Sequence, residues 1–268
     1  MFKPDRAAFS KAAANGANLI PLAESWPADL ETPLTTWIKV GASRPPGVLL
    51  ESIEGGETLG RWSVIACDPL WTASSRGDST ERVWREGRRD ITAGNPFDAL
   101  KGYLSSYRCS QLPGLPPLGQ LYGIWGYELI RWIEPTVPVH PRAGDAPPDG
   151  IWMLMDAVLI FDQVKRVITA VAYADLEGGD SEQSAWDAAC GRIADLRSRM
   201  NAPLPPVAPL PWSPTPSDLK DVNSNRTRTD FEHSVETARN HIAAGDVFQL
   251  VISQRLQTQV PQQPLELY

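Results

Sequence analysis

The sequence predicts an α+β fold, and three patterns carry that prediction. Short apolar runs closed by turn residues fill the first half. Two longer apolar runs follow at residues 151–161 and 164–173, and helical periodicity takes over at residues 181–200 and again beyond residue 229.

Val48-Leu-Leu-Glu-Ser52 reads as a short strand ended by Glu54-Gly-Gly56. Arg61-Trp-Ser-Val-Ile-Ala-Cys67 reads as a second, ending at Asp68-Pro69, where proline bars further ladder bonding. Arg82 to Ile91 predicts a hairpin turning at Glu86-Gly87, its charges alternating with Val83 and Ile91 as on a solvated sheet face. Asn95-Pro96 opens a helix, with Phe97, Leu100 and Leu104 at helical spacing. Residues 119–133 interleave Gly123 and Gly126 with Tyr122, Trp125 and Tyr127. Glycines in an aromatic strand point to a close approach of backbone or ligand, or to a bulge.

Ile151–Phe161 and Val164–Tyr173 predict two long strands joined at Asp162-Gln163. In the second, Val164, Ile168, Ala170 and Ala172 share a face, with Arg166 the exception. Ser181–Met200 predicts a helix whose Trp186, Ala189, Ile193, Leu196 and Met200 recur at helical spacing. Pro203–Pro216 then holds seven prolines in fourteen residues, a semi-rigid extended linker. Beyond it, Thr229-Asp-Phe-Glu232 is a capping box, Phe231, Val235, Ala238 and Ile242 form an apolar stripe, and Gly245 supplies the stop. A strand carrying Gln249 among apolar neighbours is expected next. The expected division is a first domain at 1–200, a linker at 201–222, and the opening of an incomplete second domain at 223–268.

A net charge of −7 and scattered basic residues argue against nucleic-acid binding. Three distant cysteines without a C-x-x-C fit a reducing compartment and argue against a disulfide framework or a zinc site. His233 and His241 share one predicted helix without acidic ligands around them and read as a solvated face. No run approaches eighteen apolar residues and none follows the charges at the N-terminus, so no membrane span or secretory signal is expected, and the cytoplasm is the expected compartment. Ten tryptophans without a fixed repeat read as large packing residues of a broad sheet core.

Chemistry-bearing motifs are sparse: no phosphate loop and no nucleophile elbow occur. Gln249 shares one face of its predicted strand with Val251 and Ser253, while Phe248, Leu250 and Ile252 fill the other. A glutamine so placed needs hydrogen-bond partners or a polar pocket. On the residues alone, Glu51-Ser52 reads as the end of an edge strand leading into a turn rather than as a ligand site.

Taken together, Leu49-Leu-Glu-Ser52, Gly60-Arg-Trp-Ser63, Asp68-Pro69, Gly126-Tyr-Glu-Leu-Ile-Arg131, Asp156–Asp162 and Ala244–Arg255 resemble, in order and spacing, anthranilate synthase component I of the chorismate-binding enzyme family. The stretch Trp125–Glu134 is similar to cyanobacterial versions. The resemblance covers essentially the whole chain. It implies antiparallel strands packed as a sandwich flanked by helices. It implies conversion of chorismate and ammonia to anthranilate and pyruvate with magnesium (Mg2+), whose ligands belong to a later part of the catalytic domain. Ammonia would come from a glutamine amidotransferase partner subunit, and L-tryptophan would inhibit. The resemblance places Gln249 where water-using relatives carry a lysine, and assigns Ser52 and Glu51 to tryptophan binding. Aminodeoxychorismate synthase, or a non-catalytic tryptophan-binding or docking module, stays open as an alternative.

Overall fold

The computed structural model describes residues 2–51, 60–116, 121–138, 146–177, 181–206, 222–259 and 264–268. The chain divides into two units, Met1–Pro205 and Pro206–Tyr268. The proline-rich stretch from 207 to 216 lies outside the described residues.

The first unit holds two five-stranded antiparallel sheets. One is built from β1 (Leu19–Pro27), β2 (Gly47–Leu50), β3 (Trp62–Cys67), β9 (Ala157–Asp162) and β10 (Val167–Asp175), in the order β1-β10-β9-β3-β2. The other runs β6-β5-β4-β8-β7, with β4 (Trp71–Arg76), β5 (Ser79–Trp84), β6 (Arg89–Ala93), β7 (Leu121–Trp125) and β8 (Gly150–Leu154). Helices α1 (Arg6–Ala14), α2 (Pro33–Val40) and α4 (Glu182–Met200) serve the first sheet, and α3 (Pro96–Leu104) the second. This is the α+β architecture expected, and both large sheets belong to the first unit.

Alternation sorts the first sheet's faces. Ile168, Ala170 and Ala172 point with Ile20, Leu22, Ile65 and Leu159 onto the Ala189-Ile193-Leu196 stripe of α4, all buried. Each fully buried isoleucine or leucine contributes about 1.5–3 kcal/mol. The opposite face carries Ala23, Ala66, Val158, Ile160 and Val171, with Tyr122 and Met153 of the second sheet packed against them. The Asn95 side chain accepts from Phe97 N at 2.9 Å to start α3, and that of Ser181 accepts from Ser184 N at 3.1 Å to start α4. The hairpin at Glu86-Gly87 forms, with Gly87 at φ 91°.

The structure corrects several expectations. Residues 151–161 are two strands in different sheets, because the chain turns at Met155-Asp156 and passes from β8 to β9. Val164 sits half-exposed in a turn, and Arg166 was the exception because it takes the left-handed conformation (φ 52°) that closes that turn. The predicted aromatic strand stops at Trp125 and a 3-10 helix, Tyr127–Trp132, replaces its second half. Helices α1 and α2 and strands β1 and β4 were not anticipated.

The two glycines mark a close approach of backbone. A Cβ on Gly123 would lie 2.3 Å from the Ile151 carbonyl oxygen, and one on Gly126 would lie 2.5 Å from the Asp149 carbonyl oxygen. Gly126 N donates to that same Asp149 oxygen at 2.7 Å. The Asp149 carboxylate, fully buried, is held by Arg131 Nη2 at 2.6 Å and Gly77 N at 2.8 Å. The Gly-Tyr-Glu-Leu-Ile-Arg motif thus staples the end of β8.

In the second unit, α5 (Arg228–Ala244) is capped by Thr227, whose hydroxyl accepts from Asp230 N at 3.2 Å. The cap therefore falls two residues before the predicted Thr229–Glu232 box, since the Thr227/Asp230 pair captures the first turn and the Thr227 hydroxyl also reaches the Asp230 carboxylate at 2.6 Å. Gly245 ends the helix at φ 82°, as expected. The apolar stripe is less covered than expected: Ala238 is buried, while Val235 and Ile242 are exposed. Residues 247–253 form no strand, because no described strand lies beside them to complete a ladder. The chain returns only at β12 (Leu256–Gln257), paired with β11 (Asn223–Ser224), and a four-residue helix, α6 (Pro264–Leu267), follows.

Gly123→Ala is expected to lower unfolding free energy by about 1–3 kcal/mol through overpacking. Gly102→Ala, in α3 with open space around its Cα, should stabilise by up to about 1 kcal/mol through helix propensity. Urea unfolding of the two variants checks both; equal effects would remove the close-approach account.

Candidate binding site

The first sheet ends in a polar knot where β3 begins. Trp62 pairs with Asp162, the last residue of β9. Just before it, Arg61 grips the Asp162 carboxylate through Nε at 3.0 Å and Nη2 at 2.6 Å. The same carboxylate accepts from Val164 N and Lys165 N, both at 3.1 Å, and so also closes the β9–β10 turn. These bonds, Arg61 first, hold the Asp162 pKa below its usual range despite burial. Arg61 also lies over the Trp62 ring, 4.5 Å from its centroid. Ser63 is fully buried and accepts from Gln163 Nε2 at 3.2 Å.

Beside the knot lies a trough of about 690 Å³ on the open face of the sheet, within the range of small-molecule sites. Its floor is Ala23, Ser25, Val167 and Thr169, with Trp62 and Asp162 on one side and the Leu112–Leu115 segment on another. The Ser25 and Thr169 hydroxyls bond each other at 2.8 Å. A floor that mixes Ala23 and Val167 with the Ser25 and Thr169 hydroxyls suits a small amphipathic ligand.

Glu51 follows β2 directly after the Leu50–Val64 pair and is half-buried. Ser52 lies outside the described residues. Gln249 belongs to the second unit, exposed and outside any strand. The knot and trough are built wholly from the first unit, and Gln249 is not among their residues. In the sequence Arg61 and Ser63 stand within the Gly60–Ser63 motif without an assigned role, and Asp162 is not marked as a site residue. Its signal was an aspartate ending an otherwise apolar run. Among the described residues no three histidine, cysteine or carboxylate side chains converge as a metal site. The described residues thus offer no ligand set that fits a magnesium ion. No helix among them is long and apolar enough to cross a membrane.

The first unit is thus an α+β unit of two antiparallel sheets that carries a trough of ligand size. Residues 48–268 match the chorismate binding enzyme family, and this chain belongs to that family. It is 47% identical to anthranilate synthase component 1 of Synechocystis over 100% of this chain and 54% of that protein. It is 32% identical to the Pseudomonas aeruginosa anthranilate synthase component 1 over 98% of this chain and 53% of that protein. The crystal structure of anthranilate synthase component I from Streptococcus pneumoniae shares its fold, with a TM-score of 0.57 at 24% identity, covering 91% of this chain and 51% of that one. The chain thus spans about half the length of the curated relatives it matches.

Arg61→Met should destabilise the first unit by about 1–3 kcal/mol, the worth of charge-assisted hydrogen bonds to a carboxylate. Asp162 has a lowered folded pKa, so its contribution is present above the unfolded value near ~3.9 and is lost as pH falls through the folded one. The wild-type advantage over Arg61→Met should therefore hold at pH 7 and shrink below about pH 4. Urea midpoints across pH test this; a gap that persists in acid would show that the arginine acts through packing alone.

Proposed function

We propose that this chain supplies the regulatory first domain, residues 1–200, the linker 201–222 and the opening of the catalytic domain, 223–268, of an anthranilate synthase component I. The activity is conversion of chorismate and ammonia to anthranilate and pyruvate in tryptophan biosynthesis. Ammonia comes from a glutamine amidotransferase subunit, magnesium is the cofactor, L-tryptophan inhibits, and the cytoplasm is the compartment. The observation that carries this reading is the 47% identity to the Synechocystis protein over the entire chain.

Two chemical arguments support the finer assignments. Gln249 is neutral at any working pH, so it can orient a nucleophile but cannot deprotonate water as a lysine of lowered pKa could. That favours ammonia as the nucleophile. Glu51 is half-buried directly after β2, and Ser52 follows it in the sequence. A carboxylate can pair with an ammonium group, and a serine hydroxyl can hydrogen-bond either end of a zwitterion, the chemistry that suits L-tryptophan.

The test is a chimera in which this chain replaces the aligned half of the Synechocystis protein. The chimera should form anthranilate, read by fluorescence, from chorismate, ammonium and magnesium, whereas the 268-residue chain alone should not. A folded chimera without activity would overturn the assignment. In the active chimera, Ser52→Phe should weaken tryptophan inhibition by about five- to two-hundredfold, the equivalent of about 1–3 kcal/mol, with the chorismate KM nearly unchanged. Equal inhibition in the two removes Ser52 from the effector site. Gln249→Lys should depress anthranilate output and admit water addition, because a buried ammonium of lowered pKa becomes a base. Wild-type kinetics in that variant would place Gln249 outside the reaction centre.

A further inference from the structure

A second cavity, of about 440 Å³, opens at the other end of β2, where the chain crosses between the two sheets beside the last turns of α4. Its charged lining is unusual. Arg44, Arg85, Arg192 and Arg199 converge there from three segments of the first unit, the last two from α4. Three carboxylates face them, those of Asp68, Asp156 and Asp195, so the lining carries one positive charge in excess.

The arginines are not fully used by these carboxylates. Arg199 gives Nη1 to Asp68 at 2.7 Å and pairs through Nη2 with Asp195, but its Nε is out of solvent and without an acceptor. Arg192 donates Nη2 to the Tyr173 carbonyl at 2.6 Å, while its Nε, also buried, stands 3.6 Å from Asp156 and has no hydrogen-bond acceptor. Buried donors in native proteins are almost always satisfied. Arg44, at the mouth and half-exposed, makes one long bond of 3.4 Å to Asp68. Asp68, the hub of the array, sits at φ 54°, a conformation sparsely populated for residues other than glycine. Pro45, Pro46, Val83 and Leu196 give the cavity an apolar wall.

We propose that this cleft is a binding site for a small monocarboxylate with an apolar body, separate from the trough beside β3. The excess of one positive charge matches one carboxylate, whose two oxygens accept in parallel from a guanidinium. A phosphate dianion would leave the lining net negative. The proline, valine and leucine wall receives the apolar part. Its volume lies within the range of small-molecule sites.

Benzoate, benzamide and inorganic phosphate are the probes, titrated into the 268-residue chain by calorimetry or followed by chemical shifts. Benzoate should bind saturably, with benzamide and phosphate each weaker by about tenfold or more. Arg44→Met, which removes a half-exposed side chain with one long bond, should weaken benzoate by about tenfold and leave the thermal midpoint nearly unchanged. Arg85→Met provides a second reading on the opposite wall and should weaken benzoate likewise. Binding of benzamide as tight as benzoate, tighter binding of phosphate, no benzoate binding, or full benzoate affinity in the folded Arg44→Met protein would each overturn the proposal. None of these outcomes depends on chorismate or tryptophan, so the chimera experiments can fail without touching it.

Discussion

The carboxylate of Asp156 is the joint on which the first unit turns. It stands between β8 and β9, where the chain leaves one sheet for the other, and it is 8% exposed. From the second sheet, Arg85 reaches it at 2.8 Å, and from α4 behind the first sheet, Arg192 stands at 3.6 Å. Its own carbonyl accepts from Tyr173 N at 2.9 Å, and the Tyr173 carbonyl accepts in turn from Arg192. One side chain thus ties both sheets and the covering helix. Removing Arg85 would leave that carboxylate short of its one direct charged donor, at a cost of about 1–3 kcal/mol. The arginine cleft exists because this joint and the β3–β4 crossing at Asp68 bring cations from both layers to one place.

Much of the fold was legible because its signals are local. Asn95 and Ser181 announced helices through side chains that bond the first turn, and both caps are present. The Glu86-Gly87 hairpin and the Gly245 stop likewise required only residues able to take positive φ. The crossover at Met155-Asp156 was not legible as one. An apolar run interrupted by a single aspartate has the same period whether it stays in one sheet or changes sheets. Only the partners decide: Arg85 lies 71 positions earlier and Arg192 is on a helix still to come. The first 45 residues hid for a related reason. The β1 run, Leu19–Pro27, loses its apolar character at Glu24-Ser25 and closes on a proline, and its register is set by β10, nearly 150 residues away.

The candidate site divides along the same line. Glu51 and Arg61 could be singled out from short motifs, and the structure puts them at neighbouring ends of β2 and β3. Asp162 could not, because an aspartate at a strand end is common, and its value lies in gripping Arg61 from 101 positions away. The trough is legible in neither strand alone. Ala23 and Ser25 reach it from β1, Val167 and Thr169 from β10, and the small side chains among them make the space.

The second unit shows how far local information can go without a ladder. Helix α5 is secured at both ends, by Thr227 at the start and left-handed Gly245 at the finish, and Arg228–Glu232 and Arg239–Glu236 pairs line its surface. Such caps are worth about 1 kcal/mol and such pairs a few tenths each. They can fix where a helix begins and ends even with Val235 and Ile242 exposed. A strand has no equivalent device. The alternation around Gln249 states which residues would share a face, but every backbone amide in it needs a neighbour on another strand. Phe248 at 95% and Val251 at 81% exposure show the consequence. Where the chain does find a partner, at Ser224 and Leu256, two residues of strand form at once and Gln254 and Arg255 bond back to Ser224 and Asn225. The chemistry proposed for Gln249 therefore rests on its residue type, since the residue itself is exposed and outside any strand.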